Sequence, residues 1–241
     1  MLSFMKRVIL SWSSGKDSTW ALGVLQRDPD VELIGLLTTV NKTHERVAMH
    51  AVRSQLLRAQ AASIGLPLQV IDLPHPCTNE QYEAIMEDAL EACISTGATH
   101  MAFGDLYLED IRAYRESNLK GTALEPLFPI WQLPTDELAH SLARPVAEGG
   151  VEAYLTCVDP RQVPASFAGR TYDDELLADI AALPVGEKGP VDPCGENGEF
   201  HTFVVDAPMF AHRIDIRPGE IVEREGFVFA DFTSAADATS A

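Results

Sequence analysis

Apolar positions along the chain form short continuous runs that alternate with segments of helical spacing. Runs rich in Val, Ile and Leu predict buried strands, and apolar residues recurring every three or four positions predict helices. The predicted strands are Arg7–Trp12, Val31–Val40, Leu68–Leu73 and Thr99–Phe103. The predicted helices are Asp17–Gln26, Arg46–Ile64, Tyr82–Cys93 with a capping box at Thr78 and Gln81, and Leu108–Leu119. This alternation predicts an α/β fold with a doubly wound parallel sheet.

The pattern changes after Pro134. A helix–strand unit over 135–158 precedes an irregular, Gly/Pro-rich stretch that ends near Cys194. The segments Thr202–Val205, Ala211–Ile216 and Ile221–Phe232 then predict antiparallel strands, with turns at Pro218-Gly219 and Gly226. We therefore predict a first domain over 1–134, a smaller α+β domain over 135–232 and a flexible tail over 233–241.

The composition limits the classes of partner. A net charge of −18 and a pI near 4.6 argue against a surface for duplex nucleic acid, which needs clustered Lys and Arg. The chain has no apolar run of the roughly 20 residues that cross a bilayer, and Met1 to Arg7 lacks a signal-peptide pattern. Four scattered cysteines without a C-x-x-C pair predict neither a zinc site nor a disulfide framework. We expect a cytoplasmic protein with no membrane partner.

A Ser-rich loop, Ser11 to Ser18, follows the first predicted strand and opens the first predicted helix. Backbone N–H groups at a helix start converge on an anion, small residues allow close approach, and a lysine adds positive charge. The alternative is an ordinary Ser-capped helix with an exposed lysine. The position after the first strand of a parallel sheet favours phosphate binding. The candidate binding residues are Ser11, Trp12, Ser13, Ser14, Gly15, Lys16, Asp17 and Ser18.

A Gly-Glu loop, Pro193 to Val204, is the most distinctive stretch of the chain. Its polar residues include Glu196, Asn197, Glu199 and His201. Two carboxylates and an imidazole within six positions are able to position a nucleophile or relay a proton. A glycine-rich entry to a hairpin with solvated acids is the alternative, and residue chemistry alone leaves both open.

The Ser-rich loop resembles the PP-loop, S-G-G-x-D-S, of the ATP pyrophosphatase (adenine nucleotide α-hydrolase-like) superfamily, with Ser14 in place of the first glycine. The Gly-Glu loop resembles the G-E-x-G-E-[FY]-H-T motif of the diphthine–ammonia ligase family. Segments at 104–105, 126–131, 167–170 and 207–210 agree in the same order, so the resemblance covers nearly the whole chain. It implies a Rossmann-like, HUP-type nucleotide domain and a C-terminal domain that supplies part of the acceptor pocket.

The resemblance also implies a reaction. Such a protein adenylates a carboxylate with ATP, releases pyrophosphate, and lets ammonia displace AMP to form an amide. ATP and Mg²⁺ are the implied cofactors, with Lys16 neutralising the leaving charge and Asp17 assisting Mg²⁺. Glu196, Glu199 and His201 are the implied catalytic residues of the second motif, and Asn197 is an implied acceptor contact. We expect free ammonium as the nitrogen source, since no glutaminase-like domain is visible.

Three further residues are candidates for acceptor binding. Asp105 follows the fourth predicted strand, where it either binds Mg²⁺ or the acceptor or caps a helix. Arg112 and Arg115 lie three apart on one helix face. They either clamp an anionic group or pair with Glu109 and Glu116 on the surface.

The acceptor is the least determined part of the prediction. Family members that act on diphthine carry an acidic Gly-Asp/Glu stretch after the third strand, whereas Leu73 to Gln81 here has no glycine and little acid. We therefore expect another carboxylate, small or protein-borne, with a corrinoid-related compound as one option. The oligomeric state stays open, a homodimer included.

Two other functions are alternatives. A sulfur-transferring or tRNA-modifying PP-loop enzyme is disfavoured by the lack of paired cysteines and of a basic surface. A nucleotide-sensing protein without turnover is disfavoured by the presence of Lys16, Asp17 and the Gly-Glu loop.

Overall fold

A computed structural model describes residues 5–41, 46–47, 52–186 and 189–235. Its first layer is a six-stranded sheet in which β1, β2, β4, β5 and β6 run parallel. The elements are β1 (Lys6–Ser11), α1 (Lys16–Arg27), β2 (Val31–Asn41), β3 (Arg46–Val47), α2 (Ser54–Ile64), β4 (Leu68–Leu73), α3 (Asn79–Ser95), β5 (His100–Ala102), α4 (Glu109–Leu119) and β6 (Glu125–Leu127). The predicted α/β class with a doubly wound parallel sheet is confirmed.

The strand order reverses at β1, which pairs with β2 on one side and with β5 on the other. Connections that leave neighbouring strands in opposite directions open a crevice at the carboxyl ends of those strands. The Ser-rich loop follows β1, and Gly104 follows β5 by two residues. A Cβ on Gly104 would lie 3.0 Å from the Ser18 nitrogen, so glycine allows these two segments to touch.

The second layer is a four-stranded antiparallel sheet in the order β8-β7-β10-β9. Its elements are α5 (Thr135–Leu142), β7 (Glu152–Val158), α6 (Asp174–Ala181), β8 (Phe200–Asp206), β9 (Ile216–Arg224) and β10 (Phe227–Ser234), with short 3₁₀ turns at Val146–Glu148 and Ala165–Phe167. One buried apolar cluster joins Leu10 and Leu22 of the first sheet domain to Leu155 and Phe203 of the second. The shared core holds the second sheet against the crevice.

The helix predicted over Arg46–Ile64 is wrong in its first part. Arg46 and Val47 form β3, which pairs antiparallel with Val40 and Asn41 at the end of β2. The helix begins only at Ser54, and residues 48–51 lie outside the described residues. The local spacing of apolar residues predicted a helix, but Arg46 and Val47 pair with β2 instead. A strand partner outside the segment therefore overrides the local pattern.

The strand predicted over Ala211–Ile216 is also wrong, since only Ile216 lies in a strand. The Ala211 N–H donates to the Ser63 carbonyl at 2.9 Å, and the His212 N–H donates to Ser63 Oγ at 3.0 Å. These contacts tie the segment to the end of α2 instead of to a sheet.

The remaining predictions for the second domain have mixed results. Pro218 and Gly219 lie inside β9, an edge strand, where a missing proline N–H is tolerated, so the turn predicted there is wrong. The turn at Gly226 is confirmed as the β9–β10 hairpin, with φ of 53° at Glu225 and 80° at Gly226. Helix α6 lies in the stretch predicted to be irregular, and Asp173 caps it by accepting from the Leu176 N–H at 2.9 Å.

The C-terminal end of β10 extends to Ser234, inside the segment predicted as a tail, and residues 236–241 lie outside the described residues. Among the helices of the described ranges, none has the length and apolar character needed to cross a membrane.

Candidate functional site

A small cavity of about 240 Å³ lies where the Ser-rich loop, the segment after β5 and the Gly-Glu loop meet. Its walls include Lys16, Asp17, Asp105, Arg115, Glu196 and His201, six of the residues predicted from the sequence. The fold therefore brings both motifs to the carboxyl ends of β1 and β5, the edge where ligands bind in such sheets.

The Ser-rich loop forms the start of α1 and presents hydroxyl groups to the cavity. Ser13 Oγ and Ser18 Oγ lie 3.0 Å apart, and both residues line the cavity. Gly15 caps the helix with its backbone, and a Cβ there would lie 3.2 Å from the Thr202 carbonyl oxygen. The Lys16 N–H donates to Thr202 Oγ1 at 3.1 Å, so the loop rests directly on β8.

Lys16 is buried, with a side chain only 2% exposed. Its Nζ lies 2.9 Å from both carboxylate oxygens of Asp17, donates to the Cys194 carbonyl, and lies 5.6 Å from the ring centroids of Tyr172 and Phe200. Burial lowers the pKa of Lys16, but the Asp17 carboxylate and its neighbours outweigh burial and raise the pKa overall. The alternative of an exposed lysine is therefore wrong.

Ser14 adopts a backbone conformation that favours glycine, with φ of 71°. Its carbonyl accepts from the Val204 N–H at 3.0 Å, while its buried Oγ has no hydrogen-bond partner. Ser14 stands where the PP-loop has its first glycine. The left-handed backbone gives the physical reason for glycine at that place, and serine there carries a conformational cost of about 1 kcal/mol.

Carboxyl groups from three segments face the same small cavity. Burial, followed by the nearby Asp17 carboxylate, raises the pKa of Glu196 to about 8. Burial also raises the pKa of Asp105, although Arg115 opposes the shift. Glu196 is consequently protonated at neutral pH, and its neutral carboxyl is able to donate a hydrogen bond to an anion.

Glu199 and Asn197 lie outside the lining of this cavity. Glu199 is 2% exposed, and its oxygens accept from the Asp192 N–H at 3.0 Å, the Asn197 N–H at 2.8 Å and Asn197 Nδ2 at 3.2 Å. Asn197 is exposed and lies 3.4 Å from the Tyr107 hydroxyl. Both residues therefore shape the Gly-Glu loop from within, and their predicted catalytic and acceptor roles stay predictions.

His201 lines the cavity from β8. Burial first, and then the charge of Lys16, lower the pKa of His201 to about 4. The imidazole is therefore neutral at physiological pH.

The two candidate arginines differ in their surroundings. Arg115 Nε lies 3.4 Å from Asp105 Oδ2, and Arg115 lines the small cavity. Arg112 Nε instead donates to Glu116 at 2.8 Å, and its guanidinium lies over two aromatic rings, 4.8 Å from each centroid. The alternative of surface pairing therefore describes Arg112, which does not line the small cavity.

A larger cavity of about 900 Å³ adjoins the small one, and both are lined by Ser11, Ser13, Phe103 and Arg115. The large cavity extends from the ends of β1 and β2 to the facing sides of α3 and α4.

The Trp12 indole is 2% exposed and donates to Gln60 Oε1 at 3.0 Å. The indole is thus part of the core, and Trp12 offers a ligand at most its backbone.

The donor set of the small cavity is compatible with Mg²⁺. Within the described part of the chain, no group of three or more His, Cys, Asp and Glu side chains is arranged to hold a metal ion by itself. Mg²⁺ is usually bound by one or two carboxylates together with waters and phosphate oxygens. Asp17 and Asp105 supply such hard oxygen donors, and the assignment of Mg²⁺ to Asp17 stays a prediction.

The sequence did not single out several residues that build the Gly-Glu loop. Asp192 Oδ1 accepts from the Cys194 N–H at 2.8 Å, and the buried Tyr172 hydroxyl donates to the Pro193 carbonyl at 2.7 Å. Thr202 receives the Lys16 N–H. Asp192 adjoins the Gly-Glu loop in sequence and Thr202 is the last residue of its motif, signals that were available, whereas nothing local marks Tyr172.

A doubly wound sheet with a polar loop at its switch point, backed by a small antiparallel sheet domain, defines a Rossmann-like α/β protein. Residues 5–122 match a family model described as diphthamide synthase N-terminal domain, and residues 139–234 match diphthamide synthase C-terminal domain. The chain belongs to the PP-loop diphthine–ammonia ligase family.

Curated relatives support this membership at low identity. Diphthine–ammonia ligase of Homo sapiens is 28% identical over 125 residues, which cover 51% of this chain and 44% of the human protein. The Mus musculus protein is 23% identical over 188 residues, 78% of this chain and 68% of that protein. The Schizosaccharomyces pombe protein is 29% identical over 138 residues, 56% of this chain and 20% of that protein. The chain thus matches less than half of the human protein and a fifth of the yeast protein.

Proposed function

We propose that this chain is an ATP-dependent ligase that joins ammonia to a carboxylate acceptor and releases AMP and pyrophosphate. The observation that carries the proposal is the direct contact between the two motifs. Lys16 Nζ donates a hydrogen bond to the Cys194 carbonyl, and the Lys16 backbone N–H donates one to Thr202 Oγ1. Family membership and the names of the relatives support ammonia ligation as the class of reaction.

The first step activates the carboxylate. An acceptor oxygen attacks the α-phosphorus, forming the acyl-adenylate, while the bond from the α-phosphorus to the bridging oxygen breaks and pyrophosphate leaves with the electron pair. The α1 start and the Ser13 and Ser18 hydroxyls, which line the small cavity, would bind the departing phosphates. Asp17 and Asp105 would hold Mg²⁺, which when bound offsets phosphate charge.

The second step forms the amide. The ammonia nitrogen attacks the acyl carbon, the carbon–oxygen bond to AMP breaks, and AMP leaves with the electron pair. The nitrogen then loses a proton, and the proposed acceptor is His201, whose side chain lines the small cavity. Protonated Glu196 would donate a hydrogen bond to a phosphate oxygen without adding negative charge to the cavity.

The adjoining large cavity is the proposed place for the nucleoside and the acceptor. It shares Ser11, Ser13 and Arg115 with the small cavity, so a ligand spanning both would carry its phosphates to the Ser-rich loop. The departure of Leu73 to Gln81 from the acidic stretch of diphthine-specific members favours an acceptor other than diphthine. Free ammonium is the proposed nitrogen source.

Product analysis tests this function. The protein is incubated with ATP, Mg²⁺, ammonium chloride and a panel of carboxylates, and nucleotides are separated by anion-exchange chromatography. AMP and pyrophosphate should accumulate over many turnovers only when ammonium and an accepted carboxylate are both present. ADP and phosphate as products, or AMP formation that ignores both additions, would contradict the proposal.

A further inference from the structure

Gln60 is a fully buried polar side chain on α2, with an exposed fraction of 0%. Its Oε1 accepts from Trp12 Nε1 at 3.0 Å. Its Nε2 donates to the Ser14 carbonyl at 3.1 Å and to the Val204 carbonyl at 2.5 Å. Because an indole N–H only donates and carbonyls only accept, these partners fix which way the amide is turned.

The three partners belong to the two parts of the candidate site. Trp12 and Ser14 flank Ser13 in the Ser-rich loop, and Val204 lies on β8, two residues beyond Thr202. A buried amide without partners would be costly, whereas this one uses both donors and its acceptor. Gln60 thus joins a helix, the Ser-rich loop and the second sheet at one point.

The Ser14 carbonyl is held from two sides, by Gln60 Nε2 and by the Val204 N–H at 3.0 Å. Carbonyl and N–H of one trans peptide point in opposite directions. Fixing the Ser14 carbonyl towards α2 and β8 therefore turns the Gly15 N–H the other way. On that side Ser13 Oγ, a hydroxyl of the small cavity, accepts it at 3.4 Å.

The same peptide follows the strained residue of the loop. Ser14 has φ of 71°, a conformation that an L residue with a side chain keeps only when its surroundings hold it there. Of the contacts that hold it, the one from Gln60 comes from a side chain and is open to substitution.

We propose that Gln60 is a positioning residue for nucleotide binding: it holds Ser14 in its left-handed conformation, aims the Gly15 N–H at the phosphate site and keeps the Ser-rich loop in register with β8. The nucleotide part of this inference rests on the proposed function. Gln60 touches no reacting atom in this account and acts through the loop.

Gln60→Met tests the proposal, because methionine is similar in size and makes none of the three hydrogen bonds. Binding of α,β-methylene-ATP, measured by titration calorimetry, should weaken about tenfold or more, since two buried carbonyls lose a donor. Amide hydrogen exchange in peptides covering 12–18 should become faster. Gln26→Met, on an exposed position at the C-terminal end of α1, is the matched control and should change neither quantity.

A rescue variant separates positioning from general stability. Glycine adopts φ of 71° without help, so Ser14→Gly added to Gln60→Met should recover at least threefold of the lost affinity. Gln60→Glu keeps the side-chain shape, and in its protonated form, which burial favours, it donates one hydrogen bond where the amide donates two. At mildly acidic pH its affinity should therefore fall between wild type and Gln60→Met. It also serves as the test variant if Gln60→Met does not fold.

The outcomes decide two questions separately. A folded Gln60→Met with wild-type affinity and exchange would overturn the role of Gln60, as would a Ser14→Gly rescue that restores the melting temperature without restoring affinity. If the wild-type protein does not bind the analogue, the proposed function fails, and exchange in the Ser-rich loop then decides alone whether Gln60 positions it.

Discussion

The two loops that enclose the small cavity reach it by different means. The Ser-rich loop is placed by regular structure, since it connects a strand to a helix and presents the helix start and two hydroxyls. The Gly-Glu loop has no such frame and is shaped by its own hydrogen bonds. Glu196 and Glu199, only three residues apart, consequently face different ways, one into the cavity and the other into the loop.

A residue of a sequence motif is therefore not automatically a residue that lines the cavity. Glu199 accepts three hydrogen bonds inside the loop. Glu196 instead lines the cavity, where burial first and then the neighbouring carboxylates raise its pKa. Lys16 connects the two loops, because its ammonium contacts both Asp17 and the Cys194 carbonyl. The Ser-rich loop thus supplies the side chain that occupies the Cys194 carbonyl of the Gly-Glu loop.

Among the substitutions in the two loops, Lys16→Ala should cause the largest loss of stability and of turnover. Lys16→Ala leaves the buried Cys194 carbonyl and the Asp17 carboxylate without their partner, so we expect a loss of about 2–3 kcal/mol in the free energy of unfolding. Turnover should fall below detection. Urea denaturation and AMP formation measure the two effects. Lys6→Met, at the opposite end of β1, is the control, and wild-type stability of Lys16→Ala would show that the two loops are not joined through this side chain.

The two glutamates should separate in a matched pair of substitutions. In Glu199→Gln an NH₂ group replaces one accepting oxygen and faces a backbone N–H, which should cost about 1–2 kcal/mol of stability. Glu196→Gln should instead raise stability at pH 7, because the wild-type carboxyl is ionised in the unfolded chain and must take up a proton on folding, a cost that glutamine does not carry. Thermal unfolding of both variants measures this contrast. Equal losses would mean that the two carboxyl groups have the same environment.

The pH dependence of nucleotide binding should report Glu196. Below its pKa of about 8 the carboxyl is neutral, and above it the carboxylate adds negative charge beside Asp17 and Asp105. Affinity for α,β-methylene-ATP should therefore decrease as the pH rises through about 8, and Glu196→Gln should remove that decrease. Binding is the better measurement, because ammonium itself deprotonates in the alkaline range and would distort turnover. An unchanged pH profile in Glu196→Gln would assign the titration to another group.

The smallest expected effect concerns the backbone of the Ser-rich loop. Ser14→Gly removes a left-handed serine and a buried hydroxyl without a partner, and it adds flexibility to the unfolded chain. We expect a net stabilisation of up to about 1 kcal/mol, visible as a higher midpoint in urea. A lower midpoint would mean that the Ser14 hydroxyl supports the loop.

Much of the first domain was predictable because the buried central parts of β1 and β2 read as apolar runs. The Thr78–Gln81 capping box is also present as predicted. The failures occur where a partner distant in sequence decides the conformation. Arg46 and Val47 pair with β2, and the segment at Ala211 docks onto Ser63, contacts that local spacing does not encode.

The site shows the same division. Residues placed by the loop–helix start, such as Ser13 and Lys16, reach the cavity as expected. Orientation within the Gly-Glu loop depends on hydrogen bonds between neighbours, so the sequence did not distinguish Glu196 from Glu199. The role of Gln60 could not be predicted for another reason, since a single glutamine in an amphipathic helix belongs to no motif.

Both loops should close on one nucleotide site, and hydrogen exchange with mass spectrometry tests this without knowledge of the acceptor. The protein is compared with and without α,β-methylene-ATP and Mg²⁺. We expect slower amide exchange in peptides covering both 11–18 and 193–204. Protection confined to one of these loops, or found only elsewhere in the chain, would contradict it.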